Sequence, residues 1–161
     1  MTPACRARTA ADYWQAYVAA TGPKADGYEV ATLGDGAELS AALIDLVLRG
    51  RKRATASLVH DFTNVGEPLP RVGGHAVVLD HAGEPRLIWR TTDVRIGPML
   101  SCDATFAWDE GEGDRTLADW LDGHRRYFQR QAAREGFAFD EATTPVVFER
   151  FRMVWPPEAA D

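Results

Sequence analysis

The residues best suited to chemistry lie in a basic stretch, residues 48–57, which reads LRGRKRATAS. The whole chain contains two lysines, Lys24 and Lys52, and uses arginine for its other basic residues. An amine can lose its proton when it is desolvated or crowded by cations, whereas a guanidinium stays charged. Lys52 can therefore accept a proton from a hydroxyl or hold an anionic substrate. The alternative is a solvated basic helix end that complements the helix dipole.

Two hydroxyl residues follow this lysine. Thr55 and Ser57 stand two positions apart in an alternating run that begins near Ala54 and predicts a strand, so their side chains share one face of it. Gly50 precedes the lysine and supplies the turn chemistry that ends a helix. The stretch therefore predicts a helix, a glycine cap and a strand, with the lysine at the junction.

A second informative stretch is acidic and reads FAWDEGEGD over residues 106–114. It concentrates the carboxylates of Asp109, Glu110, Glu112 and Asp114 between glycines that disfavour a long helix, so it predicts a loop that enters the next helix. Three interpretations compete: an acid–base carboxylate, a divalent-metal site with oxygen ligands, and acidic capping of the following helix.

Composition limits the classes of protein that remain. A chain of 161 residues with 45% hydrophobic and 26% charged residues predicts one globular domain over 1–161, with loose termini at 1–8 and 156–161. The net charge of −6 argues against non-specific coating of nucleic acid but leaves room for a local basic pocket. The two cysteines, Cys5 and Cys102, are too few for a disulfide framework and predict a cytoplasmic protein. No apolar run approaches membrane-spanning length.

Hydrophobic periodicity predicts an α+β fold with a mainly antiparallel, curled sheet, because the connections are too short for repeated βαβ units. His124 lies beside the apolar face of the last predicted helix and is interpreted as a hydrogen-bonded core or boundary residue rather than a catalytic one. No glycine pattern of a nucleotide cofactor site occurs. The predicted helices cover residues 10–21, 37–49 and 116–135, and the predicted strands cover 28–33, 54–59, 75–80, 85–94 and 145–155.

With these stretches in hand, the sequence resembles the ASCH family, named for activating signal cointegrator homology, whose domain is similar to the PUA RNA-binding barrel. The resemblance covers nearly the whole chain. The motifs that carry it are GRKRATAS at 50–57, GEPLP followed by VG within 66–73, RTTDVRI at 90–96, the FAxxEGEGD stretch, the WxxxH pair of Trp120 and His124, and PVVFERF at 145–151.

The resemblance implies a PUA-like antiparallel or mixed β-barrel with flanking helices and a cleft that receives RNA or a nucleoside. Some family members are amidohydrolases that remove the acetyl group of N4-acetylcytidine, and others are ribonucleases. The amidohydrolases use a lysine and a threonine in a GxKxxT motif, which Gly50, Lys52 and Thr55 match. Their glutamate maps to Glu110, and Glu112 is the alternative register.

The resemblance also implies a mechanism and a set of contacts. Lys52, kept partly neutral by burial and by its arginine neighbours, takes the proton of Thr55, and Glu110 relays a proton to the leaving amine. No resident cofactor is expected, although a divalent metal is an option if the protein is a ribonuclease. The expected partner is RNA or a nucleoside, with no membrane, and a homodimer is left open. The expected substrate-binding residues are Arg51, Arg53, Ser57 and Arg150.

A non-catalytic RNA-binding module is the alternative function. Such a module needs cations and aromatic rings along its cleft and binds phosphates with salt-dependent affinity. Its candidate cations are Arg49, Arg51, Arg53, Arg150 and Arg152. Trp89 and Trp108 are its candidate platforms for stacking a base.

Overall fold

The computed structural model describes residues 8–22 and 27–161, so Lys24 and Cys5 lie outside the described residues, as does the predicted loose N-terminus except for Arg8. The chain forms two compact units. One consists of the described residues of 1–50 together with Gly73–Arg90 and Arg152–Asp161, and the other consists of Arg51–Val72 and Thr91–Phe151. We call them the first and the second unit.

The described chain contains five α-helices, one short 3-10 helix (Met99–Ser101) and five strands, and the predicted α+β class with a mixed sheet is confirmed. The strand order is β1-β3-β4-β5-β2. β1 pairs with β3 in parallel, whereas β3 with β4 and β2 with β5 are antiparallel. The helices are α1 (Ala10–Thr21), α2 (Ala37–Leu48), α3 (Val59–Thr63), α4 (Ala104–Glu110) and α5 (Leu117–Glu135). The strands are β1 (Glu29–Thr32), β2 (Ala54–Leu58), β3 (His75–Leu79), β4 (Pro85–Pro98) and β5 (Pro145–Trp155).

The first unit is built on the aromatic face of α1. Thr9 caps this helix because its hydroxyl accepts the backbone N–H of Asp12, whose carboxylate in turn accepts the backbone N–H of Thr9. This aromatic face is a packing face: its rings are buried against the strands β3 and β4. The buried members of this cluster are Tyr13, Trp14, Tyr17, Val77 and Ile88.

The end of the chain differs from the expected loose tail. Backbone N–H of Asp161 donates to the carbonyl of Met153 at 2.9 Å, and the Asp161 carboxylate accepts the backbone N–H of Met153 at 2.8 Å. These paired hydrogen bonds join the last residue to β5, and residues 157–159 form the turn between them.

The second unit packs one face of β2 and β5 against α4 and α5. In the register of this antiparallel pair, Ala56 lies opposite Phe148 and Thr55 lies opposite Glu149. The apolar face is filled by aromatic rings, and Phe106 meets Phe148 edge to face with 5.0 Å between ring centroids. The buried members of this core are Ala54, Leu58, Met99, Cys102, Phe106, Ala107, Trp120, Phe128, Val146 and Phe148.

The acidic stretch is not the loop that its glycines predict, because its first part is the helix α4. The side chain of Asp103 caps this helix by accepting the backbone N–H of Phe106 at 2.8 Å, and Gly111 ends it in the left-handed conformation. Burial of Phe106 and Ala107 in the core favours the helix over the loop. The chain between the predicted strands 54–59 and 75–80 likewise contains a short helix, α3.

None of the described helices has both the length and the apolar content needed to cross a membrane.

Candidate functional site

The lone lysine of the described chain is buried against the acidic stretch within the second unit. Its side chain is 1% exposed, and its Nζ lies 2.9 Å from Glu112 Oε2 and 3.4 Å from Glu110 Oε1. His124 completes the group, because its Nε2 lies 3.2 Å from the same Glu110 oxygen. We call Lys52, Glu110, Glu112 and His124 the charge cluster.

Glu110 is the centre of this cluster and is almost completely shielded from solvent. Its Oε1 accepts the backbone N–H of Ala56 at 3.1 Å in addition to its contacts with Lys52 and His124. Its Oε2 accepts a hydrogen bond from the indole N–H of Trp120. Four groups with N–H hydrogens therefore converge on one carboxylate, an arrangement that stabilises the ionised form.

The ring of His124 is held on both sides by acceptors. Its Nδ1 lies 3.0 Å from the carbonyl of Trp120, its Nε2 faces Glu110, and the ring stacks on the Trp120 indole with 4.0 Å between centroids. A neutral imidazole carries a proton on one nitrogen alone, so one of these contacts would set two acceptors against each other. The geometry therefore favours the imidazolium, in which both nitrogens donate.

The charges of the cluster shift one another's pKa values. Burial by itself favours the neutral Glu110, but the positive charges of His124 and Lys52 outweigh it and lower the pKa of this carboxyl from 4.5 to about 2. Burial and the neighbouring Glu110 carboxylate raise the pKa of Glu112 against the attraction of Lys52. Burial opposes the charged form of His124, yet the Glu110 carboxylate raises the pKa of the imidazole.

Lys52 does not have the lowered pKa that the sequence-based mechanism assumes. Burial opposes its charge, but the carboxylates of Glu110 and Glu112 outweigh burial and raise its pKa. The arginine neighbours do not crowd the amine either. Arg51 donates to the carbonyls of Gly111 and Gly113, and Arg53 Nη1 donates to the carbonyl of Lys52 itself at 2.9 Å. The resting lysine is thus an ammonium ion and not a free base.

Backbone contacts explain why the basic and acidic stretches meet. The backbone N–H of Arg53 donates to the carbonyl of Asp109 at 2.7 Å. The Arg51 side chain binds Gly111 O at 2.7 Å and Gly113 O at 2.8 Å. Gly111 has φ +70°, and a Cβ there would stand 2.3 Å from the carbonyl oxygen of Arg51. Only glycine lets the end of α4 approach the lysine segment so closely.

The register places Thr55 differently from the other two predicted catalytic residues. Ala54 and Leu58 point into the core beneath α4 and α5, so Thr55 and Ser57 lie on the opposite face of β2. The hydrogen bonds found in the described residues link Lys52 with Glu110, and none of them links the Thr55 hydroxyl to the charge cluster. Glu149, opposite Thr55, accepts a 2.6 Å hydrogen bond from the Thr91 hydroxyl.

The residues predicted to bind substrate are largely engaged by the protein itself. Arg150 Nε donates to Asp109 Oδ2 at 3.1 Å, and its guanidinium lies 5.1 Å from the centre of the Phe106 ring. The Arg51 guanidinium holds the loop after α4 through the two carbonyl contacts given above. Ser57 is half-buried on the Thr55 face of β2. These contacts make the two arginines structural groups as well as candidate ligands.

Two contacts of the site were not predicted from the sequence. His124 is the hydrogen-bonded, largely buried boundary residue that was expected, but its contact with Glu110 was not predicted. The signal for it was present, since the four-residue spacing of Trp120 and His124 puts both on one helix face. Glu149 and Thr91 were not singled out, because residues 58 positions apart are joined only through the sheet.

The cluster also contains the donor atoms of a metal site. One ligand atom each from Glu110, Glu112 and His124 lies within 4.8 Å of the others. Carboxylate oxygens and imidazole nitrogens are common ligands of divalent metals. Lys52 already places a positive charge at hydrogen-bonding distance from both carboxylates. The ammonium therefore supplies the positive charge that a bound metal ion would otherwise supply to these carboxylates.

Comparison with known proteins agrees with this architecture. The sequence profile of the ASCH domain matches residues 29–155. The crystal structure of an ASCH domain from Lactobacillus crispatus JV V101 superposes with a TM-score of 0.80 at 30% identity, covering 90% of this chain and 93% of that chain. A protein from Enterococcus faecalis V583 superposes with a TM-score of 0.77 at 30% identity, covering 91% of this chain and 90% of that chain. No curated protein sequence gives a significant match.

The mixed sheet with its flanking helices is a PUA-like fold, which is of an RNA-binding type. The chain belongs to the ASCH domain family.

Proposed function

We propose that this protein is a hydrolase that acts on an RNA-derived substrate and removes an acyl group from a modified base of the N4-acetylcytidine kind. The observation that carries the proposal is the charge cluster, in which a buried anion holds two cations beside a second carboxylate of raised pKa. Neighbouring titratable groups whose pKa values are driven apart are typical of acid–base catalysis.

Within this proposal, Glu112 is a better proton acceptor than Glu110. A general base works best when its pKa lies near the operating pH, and the pKa of Glu112 is raised whereas that of Glu110 is about 2. Glu112 is also the most exposed member, at 28%, so a substrate meets it first. Glu110 then positions Lys52 and His124 and keeps both of them charged.

The reaction follows from these roles. Water attacks the acyl carbon while Glu112 takes one of its protons, and the Lys52 ammonium stabilises the oxyanion that forms. Glu112 then passes this proton to the exocyclic nitrogen as the carbon–nitrogen bond breaks. The products are a carboxylic acid and the free cytosine amine. Thr55 is the alternative nucleophile: its alkoxide attacks the acyl carbon and releases the amine, and water then hydrolyses the acyl-threonine ester to the carboxylic acid.

An acyl substrate suits the site better than cleavage of the RNA backbone. Phosphodiester binding needs cations that are free to contact phosphate, and Arg51 and Arg150 instead bind carbonyl or carboxylate oxygens of the protein. The lysine also supplies positive charge without a metal ion, so we expect turnover to be independent of divalent metals.

The test is turnover of N4-acetylcytidine and of a short single-stranded RNA by the purified protein, with magnesium, with manganese and with EDTA. We expect deacetylation that EDTA does not reduce and that falls by about 10²–10⁴-fold in Glu112→Gln, which removes the base. Glu67→Gln is the matched control, because Glu67 is exposed and lies in the same unit. Lys52→Arg keeps the charge but changes its geometry, and we expect it to be impaired.

Other outcomes would point elsewhere. Loss of deacetylation in Thr55→Ala with retention in Glu112→Gln would make the threonine the nucleophile and contradict the role of Glu112. Metal-dependent cleavage of the RNA would favour a ribonuclease. Salt-dependent RNA binding without turnover of either substrate would favour the non-catalytic module.

A further inference from the structure

Trp108 is an indole displayed to solvent on the outer side of α4. It is 57% exposed, and it is the only aromatic residue among the strongly exposed large apolar side chains of the described chain. Its helical neighbours Phe106 and Ala107 are buried in the core, so the helix is anchored without it. Trp89, the other tryptophan considered for base stacking, is buried and is unable to serve.

Arg115 covers one face of this indole. Its guanidinium carbon lies 3.9 Å from the ring centroid, and its Nε donates to the Trp108 carbonyl at 2.9 Å. Because one face is covered, the large exposure of the indole comes from its other face and its edges. A flat aromatic surface backed by a cation is thus presented to solvent, and a hydrogen bond to the Trp108 carbonyl positions that cation.

The backbone at Arg115 is held in an unfavourable conformation. Its φ is +65°, and it is the only non-glycine residue with positive φ in the described parts of the chain. Left-handed backbone disfavours residues with a Cβ, and such strain persists where the surrounding structure imposes it, often at binding sites. Here the strained residue is the one that stacks on the exposed tryptophan.

The stacked pair of Trp108 and Arg115, which we call the platform, lies beside the charge cluster but is separate from it. Trp108 precedes Glu110 by two residues on α4, an axial rise of about 3 Å, while the two side chains point to opposite sides of the helix. Arg115 follows Glu112 by three residues in the loop between α4 and α5. A base on Trp108 is therefore a different base from the one at the cluster.

We propose that Trp108 and Arg115 form a stacking subsite for a base that neighbours the reacting nucleotide, so that single-stranded RNA binds more tightly than a free nucleoside. Indole faces stack bases of any sequence, and the guanidinium adds a cation–π contribution. Duplex RNA buries its base faces in its own stack and offers none to the indole. The inference about the substrate rests on the proposed function, whereas the binding itself does not.

The test is binding of a fluorescein-labelled cytidine hexanucleotide with 2′-fluoro riboses, which has no 2′-hydroxyl to attack its phosphates and no acyl group. Fluorescence anisotropy would compare the wild type with Trp108→Ala, Trp108→Phe and Leu100→Ala. We expect a loss of affinity on the order of tenfold in Trp108→Ala and a smaller loss in Trp108→Phe, which retains a ring. Leu100→Ala is the matched control, since Leu100 is also exposed and apolar.

The salt dependence separates stacking from phosphate contact. Removal of a stacking ring should leave the slope of log K against log salt unchanged, because no counterion release is lost. A melting curve for each variant checks that the fold is intact, which we expect because Trp108 contributes little to the core. The same sequence as a duplex should bind the wild type and Trp108→Ala equally.

Two results would overturn the subsite: equal affinity of Trp108→Ala and the wild type for the single strand, and the absence of single-strand binding by the wild type. Either result leaves the proposed function open, because the hydrolase activity is measured separately, as turnover of a nucleoside. Conversely, a stacking loss in Trp108→Ala without any turnover would retain the subsite and reject the hydrolase.

Discussion

The Lys52 ammonium lies 3.4 Å from the Glu110 carboxylate, although 58 positions of sequence separate the two residues and both are excluded from solvent. Burial of either charge alone would be strongly unfavourable, so each residue makes the burial of the other tolerable. Formation of a hydrophobic core does not by itself require that either charged side chain be buried. The pair is therefore a candidate for function and also a point of sensitivity in the fold.

Glu110→Gln should destabilise the protein markedly. The substitution leaves the cations of Lys52 and His124 buried without their shared anion, a situation that typically reduces the free energy of unfolding by about 3–5 kcal/mol. Urea unfolding at neutral pH measures it. Glu67→Gln, an exposed carboxylate in the same unit, should change this free energy by less than about 0.5 kcal/mol. An unchanged midpoint for Glu110→Gln would contradict the central role of this carboxylate.

The stabilising effect of Glu110 should disappear in acid. Its pKa falls from 4.5 to about 2 in the folded protein, so its contribution is complete above pH 4.5 and is lost as the pH falls towards about 2. The difference in the free energy of unfolding between the wild type and Glu110→Gln should shrink over this interval. A difference that stays constant from pH 5 to pH 2 would exclude the lowered pKa.

The stabilising effect of the His124 imidazolium should be lost at alkaline pH, whereas that of the Glu110 carboxylate is lost in acid. Its pKa is raised above 6.5 in the folded protein, so the stability that the imidazolium contributes is complete below pH 6.5 and is lost as the pH rises through the folded value. The wild type should therefore lose stability relative to His124→Gln as the pH is raised from 6. NMR titration of the imidazole provides a direct check, and a pKa at or below 6.5 would refute the interpretation.

Gly111→Ala should lower the free energy of unfolding by more than an ordinary glycine substitution does. Gly111 has φ +70°, and its added Cβ would overlap the Arg51 carbonyl at 2.3 Å. Gly136→Ala is the matched control: Gly136 has φ +76° but nothing within 4 Å of its Cβ, so it carries only the conformational penalty of about 1–2 kcal/mol. Equal losses in the free energy of unfolding of the two variants would show that the end of α4 does not closely approach the backbone at Arg51.

Removal of the ammonium should turn the charge cluster into a metal site. In Lys52→Met, the ligand atoms of Glu110, Glu112 and His124 remain close enough to bind one divalent ion. Manganese or zinc at 100 times its Kd should then stabilise the variant by about 2.7 kcal/mol, seen as a rise in Tm. The wild type should show no such rise. A metal-induced shift of the same size in the wild type would mean that Lys52 does not exclude the ion.

The sequence predicted most of the secondary structure, and particular residues show why. The predicted helices 10–21 and 116–135 end where Gly22 and Gly136 cap α1 and α5, because a glycine after a helical run is a local signal that the sequence itself carries. The helix α4 was predicted as a loop, since its stability comes from the Asp103 cap and from packing of Phe106 against Phe148, which lies 42 positions away. Tertiary packing overrode the local effect of the glycines.

The sequence by itself determined the fold class and the family resemblance, and it made Lys52 a candidate, because residue type and local spacing carry that information. Only the tertiary structure decided which groups surround the lysine. It brought Glu110, Glu112 and His124 to the ammonium, put Thr55 on the opposite face of β2, and reversed the expected direction of the lysine pKa. The physical reason is that charge interactions depend on distance and burial in space, and neither can be read from separation along the chain.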